Sequence, residues 1–148
     1  MIGAVDWHLL LLFACLFVVT DTFAATGLAG RGIETLAEAG LSPERLGVMA
    51  PLLLAASNTI GNVPAIMLVL SVWPVSGEGA LYGLAVLSTL AGNLLLVGSL
   101  ANIILAERAA AAGVRLSFAD FARAGIPMTL ISMAWASAWL LAWGWVTP

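Results

Sequence analysis

The sequence predicts an all-α polytopic membrane protein that contains a re-entrant helical hairpin and a discontinuous transmembrane helix. Three observations lead to this fold class. Of 148 residues, 62% are hydrophobic and only 9% are charged, against roughly a quarter charged in a soluble domain. Several apolar stretches reach or approach the about 20 residues that cross a hydrocarbon core of about 30 Å. Two of those stretches are cut in the middle by Gly, Asn, Ser and Thr, which lipid does not tolerate unless protein or a water-filled cavity covers them.

Taken in order, residues 7–29 form the first span. They are apolar until the cluster Thr20, Asp21, Thr22, and Gly27 and Gly30 loosen the end. Met1 to His8 carries no basic residue and no small-residue cleavage site follows cleanly, so the stretch reads as mature structure rather than as a signal peptide. His8, beside Asp6 and Trp7, reads as an interfacial anchor. Residues 30–47 mix Arg31, Glu34, Glu38, Glu44 and Arg45 with Ile33, Leu36, Leu41 and Leu46, the pattern of a short helix lying along the membrane surface.

Residues 48–73 are apolar except for a central cut, Ser57-Asn58-Thr59-Ile60-Gly61-Asn62-Val63-Pro64. Each half is too short to span alone, so the pair predicts a re-entrant hairpin. Residues 80–106 form a span broken by Gly92, Asn93, Gly98, Ser99 and Asn102. Residues 107–123 hold Arg108, Arg115 and Arg123 against Glu107 and Asp120, and form the cytoplasmic connection by the positive-inside tendency. The last span, 124–146, gathers Trp135, Trp139, Trp143 and Trp145 toward its far end as an aromatic belt, which puts the C-terminus outside the cell (inner) membrane.

The two interrupted stretches carry the chemistry. Unwound backbone at mid-depth offers carbonyls to a small cation and N–H groups to an anion without burying a formal charge. The candidate substrate and ion site is therefore Ser57, Asn58, Thr59, Asn62, Gly92, Asn93, Gly98, Ser99 and Asn102. The plainer reading, that Ser, Thr and Asn merely join helices while glycines allow close packing, suits any one of them. It does not explain two such clusters in successive apolar segments. Asp21 is the one carboxylate placed within a span and is a candidate proton carrier or cation ligand, weighed against a position near the outer interface.

Other chemistry is excluded. The formal net charge is −3 and five arginines supply all the basic residues, so nothing here attracts a nucleic-acid backbone. Cys15 is the sole cysteine and sits in an apolar run. There is no nucleophile with a base, no phosphate loop and no metal-ligand spacing, so neither an enzyme nor a cofactor is expected.

The stretch AASNTIGNVPAIMLVL, followed by LSTLAGNLLLVGSLANIILAERAAAAGVRLSFADFARAGIPMTL, resembles the C-terminal half of the ion transporter superfamily. That group includes arsenite permeases, citrate-type carriers and divalent anion/sodium symporters. The resemblance implies one half of an elevator-type carrier made of two inverted repeats. In it, Ser57, Asn58 and Thr59 at the hairpin tip meet the unwound stretch from Gly92 to Asn102 around a substrate anion and a coupling ion, Na⁺ or H⁺. Such carriers have two hairpins and this chain has one. Its expected partners are thus lipid, an inorganic or carboxylate anion, and a second repeat supplied by another chain or by a homo-oligomer. Two alternatives stand beside this reading: a cation/proton antiporter using Asp21, and a truncated or partner subunit that does not itself transport.

Overall fold

The computed structural model describes residues 7–73 and 77–148; Met1 to Asp6 and the side chain of His8, on which the leader and anchor readings turn, lie outside the described residues. The described chain is helical: α1 (Trp7–Ala25), α2 (Leu28–Glu38), α3 (Leu46–Ile60), α4 (Asn62–Val72), α5 (Glu78–Ala91), α6 (Leu100–Ala111) and α7 (Phe118–Ala142), with a 3-10 turn at Leu96–Gly98.

Alone among the single helices described, α7 is long and apolar enough to cross a membrane. Its 25 residues rise roughly 37 Å at about 1.5 Å each. Ser117 starts it seven residues before the span expected from hydropathy, because its hydroxyl accepts the Asp120 N–H at 3.1 Å and satisfies an orphan donor of the first turn. The sequence contrast between the connection and the span therefore marks a change of surroundings and not the end of a helix. From Leu10 onward, α1 pairs with α2 across a 56° bend, where Gly27 takes φ 73°, a conformation that glycine adopts without strain. None of the residues of α2 is buried.

The core is built on α5. Its buried residues Ala80, Gly83, Leu84, Leu87, Ser88 and Ala91 recur at helical spacing. One side receives Leu46, Met49, Leu53 and Ser57 of α3; another receives the α7 face of Gly125, Thr129, Met133 and Leu140. Small residues let the helices close up: a Cβ on Gly83 would stand 3.0 Å from Met49 Sδ and 3.2 Å from a Val146 methyl. In lipid such contact carries the association, since apolar burial alone gives no gain over hydrocarbon.

Gly61, at φ 90° and ψ 151°, ends α3 and opens α4. Leu52 and Ala56 of α3 then share one hollow with Ala65, Leu68, Val69 and Val72 of α4, so α4 folds back along α3 as a helical hairpin. Its root is tied to the end of the chain: Leu46 N–H donates to Thr147 C=O at 2.8 Å, and Trp145 stacks on Tyr82 with ring centroids 4.7 Å apart. Trp135, Trp139, Trp143 and Trp145 are all exposed, and Trp145 in addition makes this stacking contact. Outward apolar side chains such as Ile131, 71% exposed, and Trp135, 76% exposed, cover the outer face of α7.

Candidate functional site

Helix α5 stops at Ala91 and helix resumes at Leu100, with the 3-10 turn between. The chain is held open there by two asparagines. Asn58, one turn before the hairpin tip, donates through Nδ2 to Leu54 C=O at 2.8 Å and to Ala91 C=O at 2.9 Å, while its Oδ1 accepts the Leu95 N–H at 3.1 Å. Asn102, buried, donates to Gly92 C=O at 2.9 Å and to Leu95 C=O at 3.4 Å. Asn58 and Asn102 thereby give partners to the Ala91, Gly92 and Leu95 carbonyls and to the Leu95 N–H, backbone groups that lose helical partners at the break.

The glycines are there for want of space. A Cβ on Gly98 would run into Asn58 Oδ1 and would stand 2.7 Å from Gly92 C=O. One on Gly92 would stand 3.0 Å from Gly98 C=O and 3.1 Å from Asn62 Cβ. Two strands of backbone thus cross in contact, with the hairpin residues Asn58 and Asn62 against them. Ser99 caps α6, its Oγ accepting the Ala101 N–H at 3.3 Å.

Asn58, Asn62, Gly92, Gly98, Ser99 and Asn102 therefore meet in one place. Ser57 is on the buried face of the same helix, fully enclosed, and its hydroxyl has no partner among the described residues. Asn93 is only part-buried; its Nδ2 reaches back to Thr89 C=O at 3.5 Å. Thr59 points the other way, exposed, and donates to Ala55 C=O at 2.7 Å within its own helix. Asp21 is exposed on α1 and is not gathered into the cluster, although its neighbour Thr20 is buried and donates to Leu16 C=O at 2.8 Å.

A hollow of about 130 Å³ opens at the hairpin tip, lined by Phe13 and Leu16 of α1, by Gly61 and Asn62, and by Val97 and Leu100. No charged side chain lines it, and all five arginines are exposed. Its lining is otherwise apolar, and the one polar side chain it offers to a solute is the neutral amide of Asn62. Asn62 is the amide left uncommitted, since it forms no hydrogen bond among the described residues and borders the hollow.

Two participants escape a reading by residue type. Gly125 and Thr129 of α7 form its buried face toward α5 and the break, and the Thr129 hydroxyl, like that of Ser57, has no partner among the described residues. A lone Gly and a lone Thr in a span look like ordinary packing residues; only the proximity of Pro127 marks this turn as unusual.

Several proteins to which this chain is similar over most of its length are named transporters. The chain is 34% identical over 88% of its length to a Dictyostelium discoideum protein named transporter arsB, 33% identical over 93% to the human P protein, and 32% identical over 88% to the silicon efflux transporter LSI3 of rice. Over most of its length it is thus similar to members of the ion transporter superfamily. The chain spans 24%, 18% and 30% of the length of those three relatives. No family model and no solved structure matches it.

Proposed function

We propose that this chain is a segment of a secondary active transporter that moves an anion across the cell (inner) membrane by alternating access coupled to Na⁺ or H⁺, with its site between the hairpin tip and the unwound stretch. One observation carries the reading: Asn58 joins the hairpin to the break at two points, Ala91 C=O at its start and Leu95 N–H in its middle, so that two interrupted elements share a single locus.

The hairpin geometry supports a re-entrant course. Its root lies beside Thr147, at the C-terminal end of α7, and its tip lies by the break, whose residues Asn93 and Leu94 pack on Gly125. Gly125 is seven residues past the start of α7, or about 10 Å along it. The hairpin accordingly stops short of the far end of the spanning helix. The exposed arginines Arg108, Arg115 and Arg123 at that far end favour the cytoplasm there and the C-terminus outside.

Uncommitted polar groups, Asn62 and the Ser57 hydroxyl, are the candidate ligands for anion and coupling ion, while Asn58 and Asn102 shape the cradle. The second repeat that such a carrier needs would come from another chain or another copy of this one. The test is uptake of radiolabelled inorganic and carboxylate anions into liposomes holding this chain, with and without Na⁺ and proton gradients. Saturable gradient-driven uptake, lost in Asn58→Ala, supports a carrier assembled from such chains. A folded wild-type chain that moves nothing under either gradient overturns self-sufficient transport.

A further inference from the structure

The peptide between Leu94 and Leu95 is gripped from both sides. Its carbonyl oxygen and that of Asn93 face α7, at 2.8 and 2.6 Å from the point where a Cβ on Gly125 would sit. Neither carbonyl accepts a hydrogen bond among the described residues. The peptide is trans, so its N–H points the opposite way, and there it donates to Asn58 Oδ1 on α3. A single peptide plane thus runs as a strut from the bare backbone of α7 to the hairpin.

We infer that Gly125 is a positioning residue for the site: by presenting no side chain, it lets α7 seat the Leu94 carbonyl and so aims the Leu95 N–H, the positive end of the peptide dipole, at the hairpin. This deepens the transporter reading above and rests on it for its functional meaning. The geometry leaves no slack. An alanine methyl at position 125 meets two backbone oxygens inside contact distance, and backbone cannot rotate away as a flexible side chain could. The strut must shift toward α3 or tilt, and a 3.1 Å hydrogen bond at its other end does not survive a change of aim.

Hydrogen–deuterium exchange on the full chain in detergent tests this without any substrate. Gly125→Ala should speed exchange over residues 92–99 by about tenfold while residues 7–25 stay as in wild type. Asn58→Ala should do the same from the other end. The double variant should exchange no faster than the faster single one, because both release the same strut; a general loss of stability adds instead. Wild-type exchange over 92–99 in folded Gly125→Ala, or additive effects in the double variant, overturns the inference. Should Gly125→Ala not fold, isotope-edited infrared spectroscopy of a labelled Leu94 carbonyl in the wild-type chain decides: a band typical of a carbonyl without an N–H donor is expected, and a hydrogen-bonded band overturns it. In an active carrier, Gly125→Ala should raise the anion KM about tenfold with little change in maximal rate. Absence of uptake in wild type bears on the transporter reading alone and leaves the exchange result standing.

Discussion

Asn58 Oδ1 accepts the Leu95 N–H at 3.1 Å across the gap between the hairpin and the broken helix. With both hydrogens of its Nδ2 also engaged, on Leu54 and Ala91, this side chain is a clasp more than a ligand. Its removal should therefore show first in stability. Asn58→Ala leaves the Leu95 amide unpaired, while the Ala91 carbonyl keeps the Leu94 N–H at 3.2 Å, and should cost about 1–3 kcal/mol, read as a lower unfolding midpoint in detergent. Asn58→Asp keeps the acceptor for the Leu95 N–H but turns a carboxylate oxygen toward the Leu54 and Ala91 carbonyls, and should destabilise at least as much as alanine.

Gly98→Ala probes the crossing of backbones. The added methyl collides with Asn58 Oδ1 and with Gly92 C=O, and overpacking of this kind costs about 1–3 kcal/mol. Thermal unfolding should show it, whereas alanine at exposed Gly47, where nothing lies within 4 Å of a Cβ, should have an effect of at most about 0.5 kcal/mol.

The two enclosed hydroxyls without partners separate packing from function. An unpaired buried hydroxyl costs stability, so Thr129→Val and Ser57→Ala should each leave the protein equally stable or up to about 1 kcal/mol more stable. If Ser57 serves the coupling ion, its variant should nonetheless need a higher cation concentration for half-maximal uptake. A Ser57→Ala chain with an unchanged cation requirement would remove Ser57 from the site.

The bilayer solvent and the helical build are legible in the sequence because apolar length is a property of composition alone. The breaks can be read from local composition: Gly61, Gly92, Asn93, Gly98 and Ser99 are weak helix formers grouped inside apolar stretches, and the helices do stop beside them. The split of roles within the Ser-Asn-Thr triplet cannot be read. Ser57, Asn58 and Thr59 are consecutive, so helical geometry turns them about 100° apart. Only the packing on α5 decides that Ser57 is enclosed, Asn58 reaches the break and Thr59 is left exposed. Gly125 was hidden for a related cause: its importance lies in what approaches it, a contact between elements some thirty residues apart.

Asp21 gives the test between the two transport readings. It is exposed on α1, apart from the clustered asparagines, so Asp21→Asn should retain gradient-driven anion uptake at wild-type rates from about pH 6 to 8. A proton antiporter that depended on it would lose activity outright.

The contact of Leu46 N–H with the Thr147 carbonyl, together with the Trp145 ring on Tyr82, staples the foot of the hairpin to the tail of the last helix and to α5. A hairpin so anchored cannot swing by itself like a hinged flap. In the proposed carrier, a displacement that exposes the tip to one side of the membrane would carry α3, α5 and the end of α7 along as one block, with the outer apolar face, where Ile131 and Trp135 project, as its sliding surface.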